Sequence, residues 1–207
     1  MLHVEVSRIA GDRLGLGDAI SYLTSEACPA VERQPGSLGT SLLLDPEDGA
    51  LRLESFWASH GALAASENVV GANVQEAAQR ARGAVIRERY QVLVFEREAP
   101  LGGGQGVRVT PMGAKSSRRS NVEDAVAWYA DTAIPLLADI GGFCAALLYA
   151  DWAAGRLISE TVWQDPDALA ASRSSATASE AAAAEAINGL LGAATEYQLV
   201  FSSARPA

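Results

Sequence analysis

Two glutamates, Glu54 and Glu160, are the side chains in this sequence whose type and spacing best suit acid–base chemistry. They lie 106 residues apart, and each precedes a tryptophan by three residues in a segment with strand-like alternation. Desolvation raises the pKa of a buried carboxylate towards that of a usable general base. The spacing therefore predicts two candidate catalytic bases, one in each half of the chain. A structural glutamate paired with arginine at a sheet surface or rim is the alternative.

Four aromatic side chains lie close to these glutamates in the sequence or end a later strand, and they are candidate substrate-binding residues. They are Trp57, Trp163, Tyr90 and Tyr197. An indole ring could form the wall of an aromatic pocket or pack in a core, and a tyrosine hydroxyl could orient a substrate. Because alternate residues of a strand share a face, Glu54 is predicted to lie with Arg52 and Phe56, on the face opposite Trp57.

The histidines and cysteines are too few to predict a metal centre or a nucleophilic triad. The chain contains two of each, His3, His60, Cys28 and Cys144. Both cysteines have apolar neighbours, which is typical of buried, inert thiols in a reduced protein. His60 lies near a predicted helix start and is a third candidate catalytic residue, with simple solvent exposure as the alternative. We expect no metal ion and no cofactor.

The elements that must position these residues occur twice, because the sequence repeats itself at an offset of 106 residues. The offset aligns prolines, glycines, aspartates and tryptophans over most of the chain. Examples are Pro29 and Pro135, Gly36 and Gly142, Asp45 and Asp151, and the segments 62–66 and 168–172. We predict a tandem duplication with a first repeat at 1–97, a Gly-rich linker at 98–106 and a second repeat at 107–207.

Each repeat is predicted to have the order β-α-β-β-α-β, the ferredoxin-like unit of the α+β class. In the first repeat the patterns predict strands at 2–9, 38–44, 50–57 and 90–96 and helices at 18–34 and 70–84. Pro29 and Pro135 fall inside the first helix of each repeat. A proline lacks an N–H group, so we expect both helices to bend or shorten at the same point.

The predicted sheets are apolar on both faces. Segments 42–44 and 145–149 are apolar at consecutive positions, whereas a half-solvated antiparallel strand alternates. Helices cover only one face of such a unit. We therefore predict that the two sheets pack face to face as an intrachain dimeric α+β barrel, with the linker making their encounter intramolecular. The chain would then be a monomer with an internal pseudo-dimer, or a homodimer.

Both repeats contain a strand ending in Glu-x-x-Trp, followed by a short turn and Ala-Leu, at 53–63 and 159–169. In this respect the chain resembles the antibiotic-biosynthesis-monooxygenase family of the dimeric α+β barrel superfamily. The resemblance implies a barrel-like core between two sheets, normally formed by a homodimer. Members include cofactor-independent oxygenases of aromatic polyketides, quinol oxygenases and haem-degrading enzymes.

One departure from the family pattern argues against haem degradation. Many relatives carry histidine nine residues after the tryptophan, and haem-degrading ones carry a functional tryptophan there, but this chain has Ser66 and Ser172. The histidine that haem-degrading relatives place on the next helix would fall near Glu76 or Ala182. The resemblance therefore supplies no haem ligand.

The resemblance implies a cofactor-independent monooxygenase that acts on a small aromatic or quinol-type substrate between the two sheets. Such oxygenation needs a substrate carbanion, so Glu54 or Glu160 would serve as the base. The alternative is a non-catalytic small-molecule-binding or accessory protein on the same scaffold. The sequence leaves open whether the chain is an enzyme.

Composition and charge restrict the partners further. A net charge of −9 does not suit a protein that neutralises nucleic-acid phosphates. The first residues alternate like a strand and do not resemble a signal peptide. The longest apolar run, 141–150, is about half as long as a bilayer-spanning helix. We expect a cytoplasmic protein with a small-molecule ligand and neither a nucleic-acid nor a membrane partner.

Overall fold

The computed structural model describes residues 1–114, 119–186 and 189–205. The strands are β1 (His3–Ala10), β2 (Ser37–Leu44), β3 (Leu51–Trp57), β4 (Ala84–Arg97), β5 (Gly106–Ala114), β6 (Phe143–Asp151), β7 (Arg156–Trp163), β8 (Gly189–Leu191) and β9 (Thr195–Ser202). The α-helices are α1 (Arg13–Tyr22), α2 (Cys28–Glu32), α3 (His60–Ala65), α4 (Glu67–Arg80), α5 (Arg119–Trp128), α6 (Ile134–Ala138) and α7 (Pro166–Ala186). The fold is therefore mixed α+β, as the sequence predicts.

The chain folds into two compact units. The first contains Met1–Tyr90 together with the chain from Gln198 onward, and the second contains Gln91–Tyr197. The unit boundaries fall inside β4 and β9, so each unit has a segment of each strand. Residues 98–105 form neither helix nor strand. The repeat boundaries at 97 and 107 remain a prediction.

Each unit contains an antiparallel sheet with a central strand that bears one of the two glutamates. In the first unit β1 and β2 flank β3, and β9 pairs with the outer edge of β2. In the second unit β5 and β6 flank β7, and the 91–97 segment of β4 pairs with β6. The central position surrounds both glutamates with backbone and side chains of neighbouring strands.

One face of each sheet is covered by helices of the same unit. In the first unit this buried core includes Leu23, Val31, Leu42, Leu53 and Val74. In the second unit it includes Met112, Tyr129, Leu137, Leu148 and Leu157. The helical residues recur at spacings that place them on one side of a helix, so their burial against the sheet follows from the sequence pattern.

The first helix of each unit is interrupted by a π-helical turn at equivalent positions. The turns are Leu23–Ala27 and Tyr129–Ala133, and each is followed after one residue by Pro29 or Pro135. Because proline cannot donate the i→i−4 hydrogen bond, the wider turn accommodates it without ending the helix. The predicted disturbance at these prolines is confirmed and takes the form of a wider turn.

Two loop geometries also recur 106 residues apart. Asp45 and Asp151 each accept, through Oδ1, the backbone N–H groups two and three residues later. Gly36 and Gly142 have φ angles of 80° and 87°. A Cβ atom at either glycine would lie 2.6 Å from the Cβ atom of an alanine in the following helix. Glycine is therefore required at both positions for conformation and for space.

The face of each sheet opposite the helices is buried as well. In the first unit this second face carries the buried residues Val4, Val6, Leu43 and Phe56. In the second unit it carries Val107, Leu147, Tyr149, Ile158 and Val162. Neither sheet shows the apolar and polar alternation of a half-solvated sheet. The prediction that the second faces are not solvated is confirmed.

Candidate functional site

Glu54 lies at the middle of β3 on the second face of the first unit. Val6 on β1 and Ser41 on β2 are its partners across the sheet. The glutamate is 0 % exposed, and Arg52 Nε donates a hydrogen bond to its Oε1 at 2.7 Å. The pairing with arginine that the sequence left open is present, but it is fully buried. Such a pair is typical of a site that holds a carboxylate in one orientation.

Glu160 occupies the equivalent position on β7 in the second unit and is 4 % exposed. Leu147 on β6 and Val109 on β5 are its partners across the sheet. Ile158 stands where the first unit has Arg52, 106 residues earlier. The two glutamates therefore share a position and a face, while the side chain two residues before them differs.

Tyr90 and Tyr197 are both buried, and strand alternation places each on the second face of its unit. Arg89, next to Tyr90 on β4, reaches Glu5 on the helix side of the sheet. Glu196, next to Tyr197 on β9, reaches Arg173 of α7 on the helix side of the other sheet. Each tyrosine therefore shares a face with the glutamate of its own unit, as a ligand-orienting role would require.

Trp57 and Trp163 lie on the opposite face from the glutamates. Both are 0 % exposed and belong to the helix-side cores. The indole Nε1 of Trp57 donates to Ser55 Oγ at 3.1 Å, and that of Trp163 donates to Thr161 Oγ1 at 3.1 Å. The structure separates the tryptophans from Glu54 and Glu160, and their buried indole groups are satisfied within their own strands.

His60 is the first residue of α3, and its side chain is exposed. Its ring packs edge-on against that of His3 at 5.5 Å between centroids. His3 is paired with Trp57 across β1 and β3, which places the histidine pair on the helix side of the sheet. The structure therefore brings His60 together with His3 rather than with Glu54.

The serines at the positions where relatives carry histidine or tryptophan have local structural roles. Ser66 and Ser172 are buried, and their Oγ atoms donate to the carbonyl groups of Leu63 and Leu169 at 2.7 Å. No group of three or more His, Cys, Asp or Glu side chains suited to a metal ion occurs within the described ranges. None of the helices there is long and apolar enough to cross a membrane.

The cysteines are poor nucleophiles at neutral pH. Burial raises the pKa of the Cys28 thiol to about 11. Burial also raises the pKa of Cys144 above its ordinary value. Both thiols are free of disulfide bonds. Since the thiolate is the reactive form, the structure agrees with the prediction that neither cysteine carries chemistry.

The strongest ionic network of the first unit was not predicted from the sequence. Glu5 is buried on the helix side and accepts hydrogen bonds from Arg87 at 2.6 Å and from Arg89 at 2.9 Å. Both arginines also pair with Glu67 at the start of α4. The network ties β1, β4 and α4 together at a distance along the chain that local patterns do not report.

The second unit has the same network with the charges reversed. Buried Arg108 on β5 pairs with Glu196 on β9 at 2.9 Å, and Glu196 pairs with Arg173 of α7 at 2.7 Å. Arg108 faces Thr161 across the sheet as Glu5 faces Ser55. Glu67 and Arg173 are 106 residues apart, and Arg89 and Glu196 are 107 apart. Conservation of contact with reversal of sign indicates a structural role for these charges.

We expect the network of the second unit to weaken at acidic pH. Hydrogen bonding from Arg173, and then from Arg108, lowers the pKa of Glu196 below its ordinary value of 4.5. A carboxyl group with a lower pKa in the folded state stabilises the fold above pH 4.5, and this contribution is lost as the pH falls through the folded-state value. Glu196→Gln should therefore lower Tm at pH 7, and the difference from wild type should shrink below pH 4.5. A difference that stays constant down to pH 3 would contradict this role.

No protein-family model matches the chain. Two uncharacterised proteins of Mycobacterium tuberculosis are similar to it in sequence. One is 24 % identical over 186 residues, which cover 90 % of this chain and 82 % of the relative. The other is 25 % identical over 178 residues, which cover 86 % of this chain and 74 % of the relative.

Solved structures show the same fold over nearly the full length. A candidate monooxygenase of Lactobacillus acidophilus has a TM-score of 0.72 at 10 % identity and covers 98 % of this chain and 96 % of its own. An anthrone oxidase-like protein has a TM-score of 0.70 at 15 % identity, covering 98 % and 92 %. A ferredoxin-fold protein of Listeria monocytogenes related to antibiotic biosynthesis monooxygenases has a TM-score of 0.50 at 12 % identity, covering 96 % and 95 %. The chain thus has the fold of monooxygenase-like α+β proteins, in agreement with the resemblance found in its sequence.

Proposed function

We propose that this chain is a cofactor-independent monooxygenase of a small aromatic or quinol-type substrate that binds at the second faces of the sheets. The observation that carries the proposal is the burial of a carboxylate, Glu54 or Glu160, at the middle of an otherwise apolar second face. A buried carboxylate beside apolar surface suits the binding of an aromatic molecule and the removal of one of its protons.

The proposed architecture is a tandem duplication whose two sheets pack face to face as an α+β barrel. Its support is that each sheet has a buried second face in addition to the face under its own helices. The recurrence of the π-helical turns, the glycine conformations and the aspartate turns at one offset supports duplication. A barrel would place the ligand between two such faces. The expected cytoplasmic location and internal pseudo-dimer are part of this proposal.

The proposed reaction begins when a glutamate removes a proton from an activated CH₂ group of an anthrone-like substrate. The resulting carbanion is delocalised onto the neighbouring carbonyl oxygen and transfers electrons to molecular oxygen. One oxygen atom becomes the new ketone and the other leaves as water, so that R₂CH₂ and O₂ give R₂C=O and H₂O. The substrate supplies all the electrons, and no external reductant is consumed.

The polar residues near the base have roles that follow from their positions. The Arg52 guanidinium could stabilise the enolate oxygen by charge as well as orient Glu54. Tyr90 and Tyr197 could hydrogen bond to the substrate from the outer strands. Trp57 and Trp163 would support the ends of the central strands rather than contact the ligand, because they pack in the helix-side cores.

Oxygen consumption with a panel of anthrones and quinols, without added metal or flavin, tests the proposal. We expect turnover by the wild type, and a loss of about 100-fold or more in kcat when the variant Glu54→Gln or Glu160→Gln removes the base. Glu196→Gln is the matched control, because it makes the same chemical change in a helix-side ion pair. No oxygen uptake with any member of the panel, or equal rates in both glutamate variants and the wild type, would overturn it.

A non-catalytic ligand-binding role is the second candidate, and one observation favours it. The buried pair of Arg52 and Glu54 is the kind of contact that proteins also use purely for structure. This function predicts that an aromatic ligand binds and shifts Tm without oxygen uptake. Titration with haem separates a further ligand class, because a new Soret band would reveal haem binding.

A further inference from the structure

The two histidines of the chain, 57 residues apart in sequence, lie side by side in the first unit. His3 is on β1 and His60 begins α3. Their ring centroids are 5.5 Å apart, and the ring planes are inclined by 70°. Neither the proposed oxygenase chemistry nor the helix-side core requires this arrangement.

His3 is held in the form that a metal ligand needs. Its ring is hydrogen bonded to the backbone of Tyr90, so one ring nitrogen is oriented by the protein. Burial first, and then the neighbouring His60, lower the pKa of His3, which keeps the imidazole neutral at neutral pH. A backbone partner on one nitrogen and a lone pair on the other is the arrangement that orients metal-binding histidines.

His60 is fixed in position at its backbone, although its side chain is exposed. Ser59 caps α3, and its Oγ accepts the N–H of Ala62 at 3.1 Å. A ring that starts from a capped helix end has a defined direction, and it faces a partly buried ring on the neighbouring strand. The pair therefore joins one oriented imidazole with one that solvent and ions can reach.

We propose that His3 and His60 form a two-imidazole site for a divalent transition-metal ion, with the remaining coordination positions open to water or a small anionic ligand. An ion about 2 Å from one nitrogen of each ring places the ring centres on the order of 5 Å apart, as observed. Imidazole ligands suit copper, nickel and zinc, and copper(II) binds most tightly in this series.

The second unit provides an internal comparison. Gly106 is paired with Trp163 where His3 is paired with Trp57, and Pro166 stands 106 residues after His60. The site is thus confined to the first unit, and one ion per chain is the expected stoichiometry. It lies on the helix side of the sheet, opposite Glu54, so its test is independent of the oxygenase proposal.

Copper(II) titration of the full chain, followed by calorimetry and electron paramagnetic resonance, tests the site. The protein should carry no polyhistidine tag and should have a short N-terminal extension, which prevents chelation by a terminal amine next to His3. We expect one bound ion per chain with hyperfine splitting from two imidazole nitrogens. Binding should weaken below pH 6, because protons compete for the rings.

The variants decide whether the pair is the ligand set. His3→Gln and His60→Gln should each weaken binding at least tenfold and reduce the spectrum to one imidazole nitrogen. Cys144→Ser is the control for binding by a thiol and should leave the affinity unchanged. His60→Gln changes an exposed side chain, so it remains informative if His3→Gln impairs folding. A copper affinity that is unchanged in His60→Gln, or a spectrum without two nitrogens in the wild type, would overturn the proposal.

Discussion

Replacing Arg52 with methionine is expected to lower the free energy of unfolding by about 3 to 5 kcal/mol, the cost of removing one partner from a buried ion pair. Arg52 is 3 % exposed, and its Nε lies 2.7 Å from Oε1 of a fully buried Glu54. The variant removes a charge-assisted donor while the carboxylate stays out of water. Chemical denaturation monitored by circular dichroism measures the loss.

Two further variants show whether the loss comes from the buried charge. Arg80→Met makes the same chemical change at a more exposed helix pair with Glu76, where solvent screening predicts a much smaller effect. The double variant Arg52→Met/Glu54→Leu should recover most of the lost stability, because apolar side chains of similar volume often replace a buried pair without cost. If Arg52→Met costs no more than Arg80→Met, the pair does not stabilise the fold as described.

Truncating either strand-end tryptophan is the second large effect that we expect. Trp57→Ala and Trp163→Ala should each cost about 3 to 5 kcal/mol, because a large aromatic side chain is removed from a closed core. Both residues are 0 % exposed. The milder changes Ser55→Ala and Thr161→Ala should each cost about 1 kcal/mol, since each removes the acceptor of an indole N–H.

Trp152 provides the matched control for these truncations. It is partly buried in the second unit and donates through Nε1 to Gln91 at 2.8 Å. Trp152→Ala should therefore cost less than either core truncation when all variants are compared by urea denaturation. Equal losses at Trp57 and Trp152 would contradict the placement of Trp57 in the core. Conservative Trp57→Phe should change stability more than it changes the affinity for a ligand.

The separation of Glu54 from Trp57 was predictable from the sequence. Side chains alternate along a strand, so residues two apart share a face and residues three apart do not. The same reasoning applies to Glu160 and Trp163. Consecutive apolar residues in β2 and β6 likewise predicted that both sheet faces are buried. These features depend on backbone geometry, which local patterns report well.

Contacts between side chains from distant segments were not predictable in this way. His3 and His60 meet because β1 pairs with β3, and nothing in the local sequence of either residue indicates it. The pairing of β9 with β2 joins segments more than 150 residues apart, and it decides that the last strand completes the first unit.

The charge-reversed networks had a signal in the sequence that a comparison of identical residues misses. Glu67 and Arg173 occupy one aligned position, and Arg89 and Glu196 occupy another. Identity scoring counts such pairs as mismatches, although the contact they make is preserved with opposite sign. A search for compensating charge changes between the repeats could have found both networks before the structure.

The most direct test of the central claim is the rate at which the chain exchanges the acidic CH₂ hydrogens of an anthrone for deuterium, measured by NMR without oxygen. This rate reports proton removal alone, and the buffer provides the uncatalysed rate. We predict that the wild type and Glu196→Gln accelerate exchange in proportion to protein concentration, while folded Glu54→Gln/Glu160→Gln returns to the buffer rate. A wild-type rate equal to that of the buffer, or a double variant as fast as the wild type, would contradict the claim that a glutamate on the second faces acts as the base.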